Sequence, residues 1–150
     1  ILIDVRHKTK RLKNKSLSNL YDNTLISFLT DRLKESKHVS NIVGCTSKEK
    51  IDDRLEVLAR KTKIKIFRGP SDDVMLRFIL AAKKYGAKTV VRVTGDNPLT
   101  DTKVIDFLIK KNHKKKSDYT ACKSIHYGTR AEIISLKALK KRHKMVIDTN

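Results

Sequence analysis

Short apolar, β-branched runs alternate along the chain with longer stretches whose apolar residues recur at helical spacing. Residues 1–5, 41–46, 64–67 and 89–93 read as strands, and residues 23–36, 49–61 and 72–85 as helices. Strands regularly separated by helices predict an α/β fold built on a parallel sheet. The clearest helix follows Ser71, where Val74, Phe78, Ala81, Ala82 and Tyr85 share a face. Asp72 and Asp73 fall in its first turn, Ser71 or Asp72 is its expected cap, and Gly86 suits its C-terminal end. Leu25, Phe28, Leu29 and Leu33 form a second stripe, and Val104, Ile105, Leu108 and Ile109 a third that starts after the cap candidates Thr100 and Asp101. All three stripes are expected to face the core. Beyond Lys116 the pattern gives strands near residues 118–122 and 131–134, then a basic helix from Leu136.

The length of 150 residues suits one domain with a sizeable core. No repeat or Pro/Gly/Ser linker divides it, and the chain reads as a single domain over residues 1–150, trimmed at both ends. No apolar run approaches the ~18 residues that would span a bilayer. Cys45 and Cys122 lie outside any Cys-x-x-Cys pair, so zinc and dithiol chemistry lack support and two buried, reduced thiols are expected. With no secretory segment in view, a cytoplasmic location is the default.

The formal net charge of +19 changes the picture most, because it makes a potential that attracts phosphates, nucleic acids or anionic surfaces. Charge alone does not choose among them. Lys110, Lys111, Lys114, Lys115 and Lys116 form one cluster, and Lys137, Lys140, Lys141, Arg142 and Lys144 another, each near a helix end where cations complement the dipole. A solvated lysine-rich surface explains both clusters as simply as a polyanion site does.

In open parallel sheets ligands bind beyond the carboxyl ends of the strands, so the segments that follow the strands are the candidates for chemistry. After the first strand comes a basic loop containing Arg6, Lys8, Thr9, Lys10, Arg11, Lys13, Lys15 and Ser16. Its cations can neutralise a triphosphate, although it holds no glycine and is neither a Walker loop nor a dinucleotide fingerprint. Cys45-Thr46-Ser47 follows the second strand, where the hydroxyls suit a base or ribose but Ser47 could equally cap the next helix. Arg68-Gly69-Pro70-Ser71-Asp72-Asp73 follows the third, and helix capping accounts for its acids without a ligand. Thr94-Gly95-Asp96-Asn97-Pro98-Leu99 follows the fourth and places the Asp96 carboxylate beyond the sheet edge. Mg²⁺ takes one or two such carboxylates and completes its shell with water and phosphates; a turn aspartate bonding its own backbone is the competing account.

Taken in order, these segments resemble the SpsF-like and acylneuraminate-type cytidylyltransferases. The family's opening Gln-Ala-Arg-x-x-Ser-x-Arg-Leu-Pro-x-Lys is similar to residues 4–15, its Ala-Thr-Ser to Cys45-Thr46-Ser47, and its Arg-Gly-x-x-Asp-Asp-Val-x-x-Arg-Tyr to residues 68–78. Its Arg-x-Thr-Gly-Asp-x-Pro-Leu is intact from Arg92 to Leu99. The resemblance implies a nucleotide-diphospho-sugar transferase fold, a Rossmann-like, mostly parallel sheet flanked by helices. It implies a nucleoside triphosphate, CTP foremost, with Arg6, Thr9, Arg11 and Lys15 at its phosphates, Thr46 and Ser47 near its base or ribose, and Asp96 on Mg²⁺. Arg11, Lys15 and Asp96 are the catalytic candidates. Arg77, Arg92, Thr94 and Gly95, inside the matched segments, join the nucleotide-binding set, and Glu132 joins Asp96 as a metal-side carboxylate. The implied reaction moves a nucleoside monophosphate to a sugar, sugar acid or sugar phosphate, with pyrophosphate leaving, for surface polysaccharide synthesis; a homodimer is compatible with this reading.

Three departures from the family pattern bear on activity. Asp4, Lys13 and Asn14 replace the loop's Gln, Pro and Gly, and a negative Asp4 would repel phosphate. In the late Gly-x-Asp-x-Glu segment Arg130 stands where the family has its aspartate, leaving only Glu132 acidic. The chain also stops short of the family's usual length. A degenerate domain that binds nucleotide or polyanion without turnover is therefore the alternative. Nucleic-acid recognition ranks lowest, since aromatics make up only 5% of residues and no helix-turn-helix, zinc or base-stacking pattern is present.

Overall fold

The computed structural model describes residues 1–5, 18–20, 23–123, 125–126 and 128–148. Strand β1 (Leu2–Asp4) is followed by a two-stranded antiparallel pair, β2 (Asn19–Leu20) with β3 (Asn23–Thr24), and by helix α1 (Leu25–Lys34). Then come β4 (Val43–Ser47), a single 3₁₀ turn (Lys50–Asp52), α2 (Asp53–Lys61), β5 (Lys65–Gly69), α3 (Val74–Lys84) and β6 (Thr89–Thr94). Helix α4 (Thr102–Lys115), β7 (Tyr119–Ala121), β8 (Glu132–Ser135) and α5 (Leu136–Ile147) complete it.

The main sheet runs β5-β4-β1-β6-β8-β7. Its first four strands are parallel, as the alternating pattern requires, whereas β8 pairs antiparallel with both β6 and β7. The short connection from β7 to β8 has no room for the crossover that a parallel pair needs. Strands β1, β4 and β5 build outward on one side and β6 lies on the other, so the topological switch falls between β1 and β6.

Two cores lie on opposite faces. Ile3, Val5, Val91, Val93 and Ile133 pack with Leu29 and Leu33 of α1 and Ile105, Leu108 and Ile109 of α4. Leu2, Val43, Cys45 and Val90 pack with Phe78, Ile79, Ala81 and Ala82 of α3 and Leu139 of α5. Strand alternation sends neighbouring residues to opposite faces, so Arg92 and Thr94 share the α3/α5 face with Val90.

Local signals set the helix ends. Asp101 caps α4, accepting from the Lys103 and Val104 backbone N–H groups, as its position suggested. The α3 cap is Asp73, whose carboxylate accepts from Leu76 N at 2.7 Å, not Ser71 or Asp72. Asp73 is therefore outside the first turn, because only from that position does its side chain reach the third amide of the helix. Gly86 follows α3 with φ +65, the left-handed conformation expected there. In α1 the buried stripe is rotated from the expected one: Ile26, Leu29 and Leu33 are buried, whereas Phe28 is 36% exposed and packs beside Arg32. Both lysine clusters lie on exposed helix faces.

Candidate active site

Beyond the carboxyl ends of the parallel strands, β1 and β6 present the two segments that straddle the switch point. Asp4 is in register with Thr94 on one side and Cys45 on the other. After Thr94 the chain turns: Asn97 N donates to Thr94 O at 3.1 Å, and Thr100 donates from both its backbone and its hydroxyl to Asn97 O. Asp96 stands exposed at the tip of the first turn. Gly95 is buried, and its N–H donates to Asp4 O at 2.9 Å. A Cβ there would lie 2.7 Å from Val5 Cγ2 and 3.1 Å from Asp4 O, so this close approach of β6 to β1 requires glycine.

The basic loop leaves β1 immediately after Val5. Arg6, Thr9, Arg11 and Lys15, with the other cations of that loop, lie outside the described residues. The end of β1 that precedes it is fixed: Val5 N donates to Cys45 O at 3.1 Å, and Asp4 is held on both its backbone and its side chain.

Asp4 does not act as a bare repulsive charge. Arg77, fully buried on α3, donates from Nη2 to Asp4 Oδ1 at 2.8 Å and from Nη1 to Pro70 O at 2.6 Å. This guanidinium, a nucleotide-binding candidate by sequence, is thus engaged within the fold. Burial pushes the neighbouring Cys45 thiol up to about 12, with the Arg77 charge opposing and the Asp4 charge adding to the shift. Cys45 is an inert, reduced core residue. Cys122 is only half-buried, contrary to the expected pair of buried thiols, because it follows the edge strand β7.

Thr46 and Ser47, the base or ribose candidates, are buried and their hydroxyls are committed. Thr46 Oγ1 donates to Asp52 Oδ2 at 2.8 Å, and Ser47 donates to the same oxygen from Oγ at 2.5 Å and from N at 3.0 Å. Ser47 Oγ also accepts from Glu49 N, without capping the turn that follows. Asp52, only 2% exposed, organises this corner and escaped the sequence reading, which looked outward from the strand end. Arg68 closes the same corner with donations to Ser47 O and Glu49 O and ion pairs to Asp53 and Glu56. Within the Arg-Gly-x-x-Asp-Asp segment, Arg68 therefore braces the β4–α2 connection while Asp73 caps α3.

Arg92 and Glu132 face each other across β6 and β8, and Arg92 Nη1 donates to Glu132 Oε2 at 2.6 Å. Tyr119 donates its hydroxyl to the other carboxylate oxygen at 2.9 Å. Burial and the Glu132 contact raise the Tyr119 pKa, so it remains a donor. Asp96 lies beyond the end of β6, in the turn that follows Thr94. Glu132 stands in register with Arg92, and both its carboxylate oxygens are engaged there, by Arg92 and Tyr119. Among the described residues no three His, Cys, Asp or Glu side chains cluster as a metal cage. The exposed Asp96 carboxylate fits an ion that arrives with substrate phosphates, since Mg²⁺ needs only one or two protein carboxylates.

The Gly128–Arg130 segment lies against the connection from β6 to α4, with Thr129 O accepting from Asp101 N at 3.3 Å. Arg130 donates from Nε and Nη2 to Ile125 O. A cleft of about 800 Å³ opens alongside, lined by Arg92, Thr94, Asn97, Tyr119, Arg130 and Glu132 together with Phe107 and Lys111 of α4, among others.

Comparison with known proteins decides what this arrangement belongs to. A family model described as cytidylyltransferase matches residues 1–146. The chain belongs to the cytidylyltransferase family. The spore coat polysaccharide biosynthesis protein SpsF of Bacillus subtilis is 31% identical to this cytidylyltransferase-family chain over 142 residues, which cover 92% of the chain and 59% of SpsF. An uncharacterized protein of Methanocaldococcus jannaschii is 38% identical over 143 residues, covering 95% of the chain and 59% of that protein. A solved cytidylyltransferase from Leptospira borgpetersenii superposes with a TM-score of 0.91 at 33% identity, covering 95% of the chain and 62% of that structure. The fold is that of the nucleotide-diphospho-sugar transferases, and the SpsF-like resemblance holds. The chain spans about three fifths of the length of these relatives. Among the described residues no helix is long and apolar enough to cross a membrane.

Proposed function

We propose that the protein transfers a cytidylyl group from CTP to a sugar, sugar acid or sugar phosphate, for surface polysaccharide synthesis. The observation that carries this reading is the adjacency of β1 and β6 at the switch point. It sets the root of the basic loop, after Val5, beside the Asp96 turn. Arg6, Thr9, Arg11 and Lys15 would then meet the triphosphate, and Thr94 and Gly95 would shape the wall next to it. An acceptor oxygen attacks the α-phosphorus; the bond from that phosphorus to the β-phosphate bridging oxygen breaks, and pyrophosphate departs with the electron pair. Positioning and neutralisation of the phosphates dominate such a reaction.

Asp96 is the residue that would hold Mg²⁺ at the phosphates, where the ion supplies charge stabilisation for the leaving group. The cleft beside it, with Arg92, Lys111, Lys115, Lys123 and Arg130 among its lining residues, suits an acceptor that carries a carboxylate or phosphate. The test is pyrophosphate release by the full-length protein, with each nucleoside triphosphate, a panel of neutral and anionic sugars, and Mg²⁺, Mn²⁺ or chelator. CTP-selective, metal-dependent release with an anionic sugar supports the reading. Neither release nor nucleotide binding under any combination would overturn it.

A second reading, nucleotide binding without turnover, is favoured by Arg130, on the segment against the connection from β6 to α4, and by the engagement of Glu132. It expects CTP binding without pyrophosphate release, and release gained on Arg130→Asp.

A further inference from the structure

Arg77 and Asp4 come from elements far apart in sequence and meet where three strand ends converge. The Asp4 carboxylate takes Arg77 Nη2, while the Asp4 carbonyl takes the Gly95 amide. The other arm of Arg77 reaches the Pro70 carbonyl in the turn between β5 and α3. One buried guanidinium thus ties the end of β1 to the start of α3, and through Asp4 to the turn that carries Asp96. Arg77 is 0% exposed, and its Nε has no hydrogen-bond partner among the described residues. An arginine held this far from solvent, with incomplete hydrogen bonding, is costly to the fold unless paired.

Resting on the nucleotide reading above, we infer that the Asp4–Arg77 pair is a positioning device. It fixes the end of β1, just before Val5, relative to the Asp96 turn, so that the two strand ends flanking the switch point present themselves to one nucleotide at a set separation. Neither residue touches the nucleotide. Two alternatives for Arg77 are less consistent with its surroundings. A direct phosphate contact would need the guanidinium to leave Asp4 and the Pro70 carbonyl, and simple core filling would not require hydrogen bonds to two separate strand ends. The Asp4 charge, which in isolation would repel a triphosphate, is neutralised by the same contact.

The test compares Asp4→Ala and Asp4→Asn in the full-length protein. Asparagine keeps an oxygen for Arg77 but removes the charge; alanine removes both. Both variants should melt lower than the parent, since both take the counter-charge from a buried arginine. Binding of CTP, measured by calorimetry, should separate them: Asp4→Ala weakens it by about tenfold or more through misplacement of the loop. Asp4→Asn stays within about threefold because the tie is kept. Hydrogen exchange of the Gly95 amide without nucleotide gives an independent readout, accelerated in Asp4→Ala and near parental in Asp4→Asn. Equal CTP affinity in a folded Asp4→Ala, or affinity in Asp4→Asn as low as in Asp4→Ala, overturns the inference. If the parent protein binds no CTP, the functional reading fails and the amide exchange alone decides: unchanged Gly95 protection in Asp4→Ala then sinks the positioning role.

Discussion

Arg92 and Glu132, forty positions apart, sit directly opposite one another on antiparallel strands, and the guanidinium holds the carboxylate at 2.6 Å. The contact gives one of the two candidate metal-side acids a cation as its partner.

Substitution of the two acids should therefore give different outcomes. Asp96→Asn is expected to abolish pyrophosphate release while shifting stability by no more than about 0.5 kcal/mol, as for an exposed site. Glu132→Gln should cost up to about 1 kcal/mol, the range of a half-exposed ion pair, and leave the metal concentration for half-maximal activity unchanged. Metal titrations of both variants check this; a large shift in metal requirement for Glu132→Gln would contradict it.

Gly95→Ala tests the close approach of β6 to β1. The added methyl would press on Val5 Cγ2 and the Asp4 carbonyl, and the expected loss is about 1–3 kcal/mol, the usual cost of overpacking. Urea midpoints measure it, and a variant as stable as the parent would show that the strands can part there.

Asp52→Ala removes the acceptor of three donors at the end of β4 and leaves the Thr46 and Ser47 hydroxyls without it. Because these groups are buried, a loss of about 2–3 kcal/mol is expected, read from thermal or urea unfolding. Thr46→Val at the same corner should cost less, since it removes one donor and keeps the shape.

Acid should destabilise the protein through Asp73 and Asp106. Burial tends to raise the pKa of each, but it is outweighed. The Leu76 amide and His143 hold Asp73 below the usual carboxylate range, and the Ser36 hydroxyl and Lys37 amide do so for Asp106. A depressed folded value means that these contacts contribute fully above the unfolded value of about 3.9 and are lost as pH falls through the lower folded values. Melting temperature should therefore drop more steeply below about pH 4 in the parent than in Asp73→Asn/Asp106→Asn. Parallel profiles would contradict the assignment.

The architecture was readable because period and punctuation agreed along most of the chain. Asp101 starts α4 and Gly86 follows α3 where their chemistry suits them, and the apolar runs became the sheet interior. The candidate site was less legible, because the fates of its residues depend on register. Nothing local tells that Arg77 turns inward to Asp4, nor that Glu132 faces Arg92 rather than Asp96. Thr46 and Ser47 looked like ligand-facing hydroxyls because Asp52 meets them only once the 3₁₀ turn folds back. The Asp73 cap differed from the expected one by only one or two positions, which is the usual uncertainty of helix ends.

The central place of β1 also governs how the molecule comes into being. Its two neighbours are β4 and β6, and the latter starts only at Thr89, so β1, once synthesised, must wait for the chain through β6 before its second edge is covered. Such distant pairing slows folding and leaves an apolar strand edge available for wrong partners in the meantime. During synthesis, the Leu2–Asp4 edge is thus a segment that stands to gain from chaperone protection.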